Sequence, residues 1–342
     1  HQGERILIQL LRDLPTEKNL KVYIFIFLSM IEEAHILSCD TLARMFDDKE
    51  LMKSLQDAQY DMMLTDPAMA GGMLMAHYLK LPVVLNARWI TSGEGHFAIA
   101  PSPLSYIPVP GSGFTDKMTF IQRVQNMLHY SIIVYQQRFM VGPSYDAICA
   151  KYFEGGCDII SLIQESDIWL MRSDFVFDFP RPTMPNVIYM GGFQCKPAQP
   201  LPPELEEFVQ SAGEHGVIIM SLGTLVNALP VDITDQIASP STLGNNTLLV
   251  DWMPQKDLLG HPQTRAFVAH GGTNGVQEAI YHGTPVLGIP LFFDQYDNLL
   301  RLQERGAAKI LDCRIALLEI KTVLRADLDI AGYFAYGTVL PF

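Results

Sequence analysis

The chain has 342 residues, which is more than one hydrophobic core usually organises, so we expect two domains of ordinary size. Apolar residues make up 49% of the chain and charged residues only 18%, which excludes a disordered protein. This composition suggests an apolar ligand pocket or a location near a membrane. A net charge of −13 repels phosphate backbones and excludes general nucleic-acid binding, while local anion sites stay possible.

The five cysteines are widely scattered and contain no C-x-x-C pair, so we predict neither a metal site nor a disulfide scaffold. Cysteine usage leaves the cellular compartment open. The sequence opens at His1 without the charged and apolar regions of a signal peptide. Its longest apolar stretch, residues 22–28, is far shorter than the ~20 residues of a membrane span, so we expect no anchor in this chain.

The first half of the chain alternates between predicted strands and helices. Residues 61–64 and 82–85 are apolar runs typical of buried strands, and the small residues at 68–79 predict a helix between them. This βαβ unit implies a parallel sheet. Thr115 is predicted to cap a long helix after the proline- and glycine-rich loop at 92–113. The apolar residues of that helix recur at spacings of three and four: Met118, Ile121, Val124, Leu128 and Ile132.

A segment with four prolines, residues 196–204, is the clearest linker candidate because proline forbids a helix there. After it the alternation restarts, with predicted strands at 217–222, 266–269 and 285–289 and a helix at 297–304. We therefore predict two α/β domains, 1–195 and 196–342, with a ligand cleft between them.

The densest group of candidate functional residues begins where the strand RAFVA ends at His270. The glycine-rich turn that follows, from Gly271 through Asn274 to Gly275, lets the backbone approach a ligand closely, and a helix starts at once. Free N–H groups and the positive end of the helix suit a diphosphate, to which His270 adds a donor. The turn has neither the G-x-G-x-x-G nor the Walker pattern.

Residues around this turn could complete a nucleotide-sugar site. Glu278 could reach a ribose diol, Trp252 offers a flat face for a base and Gln255 an amide for its edge. Asp294 and Gln295 supply groups suited to sugar hydroxyls. Each residue also has a purely structural interpretation. A glutamate in a first helical turn often interacts favourably with the positive end of the helix dipole, and a lone tryptophan often lies in a core.

The joint spacing of these residues closely resembles the donor-binding signature of the family 1 UDP-glycosyltransferases. The longer phrase is similar to the animal members, the UDP-glucuronosyltransferases, and most to fish-type members: HPQTRAFVAHGGTNGVQEAIYHGTPVLGIPLFFDQYDN. The resemblance covers about residues 36–312 and includes YDMMLTDPAMAGGMLMAHYLKLPVV and GGFQCKPAQPLPPELEEFVQSAGEHGVIIMSLGT.

The resemblance implies a GT-B fold, in which two Rossmann-like domains face a cleft, with a UDP-sugar on the second domain and a small lipophilic acceptor on the first. The reaction implied is an inverting transfer, and the UDP-sugar is a co-substrate, so no cofactor is expected. The resemblance also implies a location on the lumenal side of the endoplasmic reticulum, and it implies membrane association for full-length members of the family. The implied UDP-sugar ligands are Ser221, Thr224, Trp252, Gln255, His270, Gly271, Asn274, Gly275, Glu278, Asp294 and Gln295.

The chain also departs from the family pattern. The family's general base is a histidine in a G-S-H-W turn, oriented by an aspartate; Asp66 of LTDP matches the aspartate and is our catalytic candidate, but no G-S-H-W occurs. We expect the four histidines that precede the predicted long helix, His1, His35, His77 and His96, to lie in the core or on the surface. We also expect one strand of the family to be missing between Ser221 and Trp252 and no family anchor in the C-terminal region, so we expect an incomplete member.

Two alternatives stay open. A catalytically silent relative could bind a UDP-sugar or a hydrophobic ligand without the base, and a nucleotide-sugar epimerase would convert its donor without an acceptor. The donor is also open, since glucuronate needs a cationic partner that could be Arg88, Arg265 or another arginine, while glucose or galactose does not. The loop SGEGHFAIAPSP would shape the acceptor site.

Overall fold

The computed structural model describes residues 20–88, 100–223, 246–250, 252–291 and 294–311. Within them the chain forms two compact units, of which the first ends at Gly191 and the second begins at Gly192. The sequence predicts a boundary four residues later, after Cys195. Residues just past Gly192 lie with the second unit because Gln194 Nε2 donates a hydrogen bond to Gln277 Oε1 at 2.5 Å.

The first unit contains a four-stranded parallel sheet in the order β1-β2-β3-β4. The strands are β1 Met63–Thr65, β2 Val83–Ala87, β3 Ile168–Met171 and β4 Val187–Tyr189. The α-helices are α1 Leu20–Asp47, α2 Lys49–Asp57, α3 Gly71–Leu79, α4 Phe120–Tyr135, α5 Gly142–Tyr152 and α6 Ile159–Gln164, and a π-helical turn, Gln136–Val141, joins α4 to α5. The predicted βαβ unit is confirmed as β1-α3-β2.

The core of the first unit lies on the inner strands of this sheet. Strand β2 buries Leu85 and Ala87, and β3 buries Trp169 and Met171. Residues of α1, α3 and α5 pack in the same apolar cluster, as expected where helices cover a parallel sheet. No helix within the described ranges combines the length and the apolar character that a membrane crossing requires.

The long helix α4 begins later than predicted. Its N-cap is Thr119, not Thr115: Thr119 Oγ1 accepts from the Gln122 N–H at 3.3 Å, and Gln122 Oε1 accepts from the Thr119 N–H at 2.8 Å. This reciprocal pair satisfies two backbone donors near the helix start, whereas Thr115 Oγ1 accepts from the Lys117 N–H in the preceding turn. Of the predicted apolar stripe, Met118 is buried and the four later members are half-buried or exposed on the outer side.

The second unit repeats the same architecture. Its parallel sheet has the order β5-β6-β7-β8. The strands are β5 Val217–Ser221, β6 Thr264–Ala269, β7 Val286–Gly288 and β8 Ala308–Ile310, and the α-helices are α7 Pro203–Ser211, α8 Gln255–Leu259, α9 Thr273–His282 and α10 Gln295–Glu304. The predicted strands and the predicted final helix are confirmed. Thr224 and most of the stretch in which we predicted a lost strand, residues 224–245 and 251, lie outside the described residues.

A disulfide joins Cys149, near the end of α5, to Cys157 in the loop before α6. The sequence did not predict it, because a spacing of eight residues without a repeated cysteine pattern is not distinctive. Cys149 is buried in the core of the first unit, so the bridge ties the loop to that core. Cys39 and Cys195 are free.

Removing this bridge is expected to destabilise the first unit. We expect the double substitution Cys149→Ala and Cys157→Ala to lower the free energy of unfolding by about 2–3 kcal/mol, because the bridge restricts the unfolded chain over a short loop. Urea unfolding of oxidised protein measures the change. A reducing agent should shift the native protein by the same amount and leave the variant unchanged; equal curves for oxidised native protein and variant would contradict the prediction.

Candidate functional site

The predicted nucleotide-sugar residues of the second unit gather at the carboxyl edge of its sheet. Strand β5 ends at Ser221, and β6 ends at Ala269, directly before His270. Ser221 is paired with Ala269, and Ala269 with Gly288 of β7. Since the strands are parallel, the loops that follow them meet at this edge, where ligands bind in open α/β sheets.

His270 is half-buried and lies between two glycines. A Cβ atom on Gly223 would lie 2.8 Å from His270 Nε2, and one on Gly272 would lie 2.5 Å from it, so a side chain at either position would displace the imidazole. Burial lowers the His270 pKa below 6.5, opposed by a hydrogen bond to the Ser221 backbone and by the charge of Asp294. His270 Nδ1 is buried without a hydrogen-bond partner in the described part of the chain.

Helix α9 starts immediately beyond this histidine. Gly271 has φ +89°, and a Cβ atom there would lie 2.7 Å from the Gln295 carbonyl oxygen and from Leu299 Cγ. Gly272 is the N-cap and has no side chain to cap the helix. The first helical turn, which holds Asn274 and Gly275, therefore presents backbone N–H groups and the positive end of the helix dipole. This arrangement suits a phosphate or diphosphate.

The Asp294 carboxylate is fixed beside the same turn. Asp294 Oδ2 accepts from Thr273 Oγ1 at 3.0 Å and from Asn298 Nδ2 at 2.7 Å. Asn298 Nδ2 also donates to the Gly271 carbonyl at 3.1 Å, so one amide ties the glycine turn to the carboxylate. Our sequence reasoning missed Thr273 and Asn298 as positioning residues. The four-residue spacing of Asp294 and Asn298 at the start of α10 is the signal that could have indicated the contact.

Two of the predicted base- and ribose-binding residues are in contact. Gln255 Nε2 donates to Glu278 Oε2 at 2.7 Å, which joins the start of α8 to α9. Trp252, just before α8, is 79% exposed, so the interpretation of this tryptophan as a core residue is wrong. Gln295 is buried, and its Oε1 accepts from the Leu291 N–H at 2.8 Å. Sugar binding by Gln295 stays a prediction.

The arginine candidates for a sugar carboxylate lie elsewhere. Arg265 follows the first residue of β6 and donates to the Glu214 carbonyl at 3.4 Å. Arg265 lies five positions before His270, which is about 16 Å at the rise of a β-strand. Arg265 therefore belongs to the opposite edge of the sheet. Arg88 follows β2 in the first unit.

Asp66 lies at the carboxyl end of β1 in the first unit, where it is exposed. Its Oδ1 accepts from the Ala68 N–H at 2.9 Å. No hydrogen bond joins Asp66 to a histidine within residues 20–88 and 100–223. His35 is buried with its Nδ1 2.8 Å from the Tyr145 hydroxyl, and His77 is exposed, so the expectation of core or surface positions is confirmed for these two histidines. His1 and His96 lie outside the described residues.

Partial burial of His270, which lowers its pKa, is expected to make the second unit sensitive to acid. The folded pKa lies below 6.5, so the unfolded chain takes up the proton first; stability is complete above pH 6.5 and falls as the pH drops towards the folded pKa. Urea unfolding at about pH 7.5 and about pH 5.5 should show a smaller loss for His270→Asn than for native protein. The remaining loss reflects His35 and His282, whose pKa values burial also lowers.

Substitution of the exposed His215 by asparagine is the matched control for this measurement. The acid-induced loss in this variant should equal that of the native protein. An equal loss in His270→Asn would contradict a lowered pKa at His270.

Comparison with known proteins adds family evidence to this geometry. A family model described as "UDP-glucoronosyl and UDP-glucosyl transferase" matches residues 3–329. Within the described ranges, no group of three or more histidine, cysteine, aspartate or glutamate side chains is placed to hold a metal ion. The family match covers both units.

Individual relatives agree with the family match. UDP-glucuronosyltransferase 2B17 of Mus musculus is 39% identical over 308 residues, which are 84% of this chain and 58% of the mouse protein. UDP-glucuronosyltransferase 2C1 of Oryctolagus cuniculus is 42% identical over 308 residues, which are 84% of this chain and 61% of the rabbit protein. The chain thus spans about three fifths of the length of these curated relatives.

A solved structure supports the fold. UGT2 of Phytolacca americana, in complex with UDP-2fluoro-glucose and pterostilbene, has a TM-score of 0.54 and 16% identity, with coverage of 87% of this chain and 75% of that protein. At this identity the likeness concerns the fold alone, and it confirms the predicted GT-B class of two α/β domains.

Proposed function

This chain belongs to the UDP-glucoronosyl and UDP-glucosyl transferase family, and on that premise we propose that it transfers a sugar from a UDP-sugar to a hydroxyl of a small lipophilic acceptor. The observation that carries the proposal is the uncapped start of α9, which directly follows His270 at the carboxyl edge of the sheet. Its free backbone N–H groups and the positive end of the helix dipole together favour a diphosphate.

The other residues of this edge have complementary roles in the proposal. The exposed face of Trp252 stacks on uracil, while Gln255 binds the edge of the base and Glu278 the ribose hydroxyls. Asp294, oriented by Thr273 and Asn298, accepts hydrogen bonds from the sugar hydroxyls, with Gln295 beside it. Ser221 and Thr224 contribute to the phosphate side.

The proposed chemistry is an inverting displacement. The acceptor oxygen loses its proton to a base and attacks the anomeric carbon from the face opposite UDP; the bond to the diphosphate oxygen breaks, and UDP leaves with the electron pair. The backbone N–H groups at the start of α9 stabilise the charge that develops on the diphosphate. Asp66 matches the family aspartate and is proposed to orient the base.

We further propose that the donated sugar is glucuronic acid. Support comes from the names of the two relatives above, both UDP-glucuronosyltransferases. We also propose a lumenal location at the endoplasmic reticulum with membrane association. The bridge between Cys149 and Cys157 supports this location, because disulfides persist in oxidising compartments.

Titration calorimetry with UDP and a UDP-release assay test the proposal on the 342-residue chain. We expect UDP to bind, and release from UDP-glucuronate to depend on a lipophilic phenol or alcohol and to exceed release from UDP-glucose and UDP-galactose. Binding without release would favour the silent relative. Donor conversion without an acceptor would favour the epimerase, and absence of UDP binding would overturn the donor site itself.

A further inference from the structure

Three charged side chains of the first unit follow neighbouring strands of its sheet. Asp66 comes directly after β1, Arg88 after β2 and Arg172 after β3. Because these three strands are adjacent and parallel, their carboxyl ends lie at one edge of the sheet. Ligands bind at this edge in open α/β sheets. We call Asp66, Arg88 and Arg172 the first-unit charge cluster.

The two arginines of the cluster follow directly paired residues. Ala87, which ends β2, is paired with Met171, which ends β3. The Arg172 N–H donates to the Ala87 carbonyl oxygen at 2.9 Å, so the parallel hydrogen bonding continues one residue beyond β3. The sheet therefore fixes the backbones of Arg88 and Arg172 as neighbours.

The charges of the cluster act on one another. Burial lowers the pKa of Arg172, the positive charge of Arg88 lowers it further, and the negative charge of Asp66 raises it. A charge shifts a pKa in this way when it lies nearby, so the charged groups of the cluster are close together. Arg88 is exposed and Arg172 is half-buried, which leaves the cluster within reach of a ligand. Two guanidinium groups against one carboxylate give the cluster a positive excess that suits an anion.

Two further carboxylates follow β3, and the loop that carries them also holds them. Asp174 Oδ1 accepts from the Val176 N–H at 2.9 Å, and Asp178 Oδ2 accepts from the Ser173 hydroxyl at 2.8 Å. The charges that shift the pKa of Arg172 come from within the cluster itself. We therefore assign these two carboxylates to the structure of the loop.

We propose that Arg88 and Arg172 bind the carboxylate of the acceptor, so that the preferred acceptors are lipophilic hydroxy acids. A guanidinium group presents two parallel N–H donors to a carboxylate, and a second positive group strengthens the contact. The bound acid lies beside Asp66, the catalytic candidate, and its hydroxyl oxygen is the nucleophile of the transfer proposed above. The inference rests on that proposed function and adds the class of acceptor to it.

The acceptor is a better source of this carboxylate than the donor sugar. The nucleotide-sugar residues around His270 belong to the second unit, whereas the charge cluster belongs to the first. The first unit also offers an apolar surface: a groove of about 480 Å³ is lined by Leu42 of α1, Met63 of β1 and Met75 of α3, among others. The groove and the cluster adjoin the same strand, since Asp66 follows β1. An acid with an apolar body therefore fits this unit.

Binding of two matched acceptors to the full chain in the presence of UDP tests the proposal. The acid para-hydroxyphenylpropionate and its methyl ester share the ring and the hydroxyl group and differ in the carboxylate charge. Calorimetry should show that the native chain binds the acid at least about tenfold more tightly than the ester. Arg88→Gln and Arg172→Gln should each weaken binding of the acid by about 10–100-fold, and the ratio of acid to ester affinity should fall below about twofold.

Two further variants separate recognition of the carboxylate from a general effect. Lys53→Gln removes an exposed positive charge from α2 of the same unit and should bind both acceptors as the native chain does. Arg172→Lys keeps the charge but loses the planar pair of donors, so its affinity for the acid should lie between those of the native chain and Arg172→Gln. Far-ultraviolet circular dichroism checks that each variant is folded.

Three results would overturn the proposal. The native chain could bind the ester as tightly as the acid, or the arginine variants could weaken binding of both acceptors equally. The variants could also reduce turnover of UDP-glucuronate but not of UDP-glucose with the ester as acceptor, which would assign the arginines to the donor sugar. Acceptor binding is measured without turnover, so a chain that binds the acid through these arginines but releases no UDP would contradict the transferase function and leave the carboxylate site standing.

Discussion

Replacing Asp294 with alanine is expected to reduce kcat/KM for the UDP-sugar by roughly 10²–10³-fold. The carboxylate is held in one orientation by Thr273 and Asn298, so it can meet the sugar hydroxyls without further ordering. Alanine removes the acceptor and also leaves the Thr273 hydroxyl without its partner. We expect the substitution to cost only about 1–2 kcal/mol of folding stability, because Asn298 keeps its bond to the Gly271 carbonyl.

UDP-release kinetics and calorimetry with UDP measure this effect together. UDP affinity should change much less than kcat/KM, because the proposed partner of Asp294 is the sugar. Asp294→Asn should be intermediate, since one amide oxygen can still accept a hydrogen bond. Glu207→Ala, an exposed carboxylate of α7 in the same unit, should behave like the native protein. Turnover by Asp294→Ala above about half the native rate would remove Asp294 from the site.

Replacing Gly271 with alanine is expected to destabilise the second unit by about 2–5 kcal/mol and to abolish UDP binding. Two causes add: a side chain at φ +89° is strained, at about 1–2 kcal/mol, and the new Cβ atom meets the Gln295 carbonyl oxygen and Leu299, at about 1–3 kcal/mol. Movement of Gln295 and Leu299 would displace the start of α10, where Asp294 is held.

Gly283→Ala is the matched control, because Gly283 has φ +70° but nothing within 4 Å of an added Cβ atom. It ends the same helix that Gly271 precedes, so it isolates backbone strain from the collision. We expect a loss of about 1 kcal/mol and native UDP affinity. Urea unfolding and calorimetry measure both variants. Equal stability losses in the two would falsify the argument that close packing at Gly271 shapes the site.

Local patterns in the sequence predicted much of the fold. Apolar runs at 61–64, 82–85 and 266–269 became strands because short runs bounded by turn residues leave few other ways to bury apolar side chains. The glycine turn after His270 was recognisable because glycine is the residue that tolerates a positive φ and a close backbone approach. Pattern alone is weaker where two residues could cap the same helix. Thr115 and Thr119 both precede the long helix, and the glutamine three residues after Thr119 decided which of them is the N-cap.

The candidate site was only partly predictable. Its main residues could be named from their joint spacing, and their grouping at one sheet edge follows from parallel strands. The contacts of Asp294 with Thr273 and Asn298 could not be named, because they depend on how α9 and α10 approach each other. For Gln295, the sequence suggested a sugar ligand, whereas the structure also gives its side-chain oxygen a backbone partner.

By itself, the sequence determined the two α/β units, their parallel sheets and the family, since these depend on periodicity and on spacing along the chain. Tertiary structure alone decided that His270 Nδ1 is buried without a partner, that Cys149 meets Cys157, and that α4 turns its apolar side outward. The physical reason is that burial and pairing depend on neighbours distant in sequence. The buried Asn126 side chain bonds the Val109 N–H and the carbonyls of Leu104 and Ile107; these contacts orient α4 against its own hydrophobic pattern, and no local pattern encodes them.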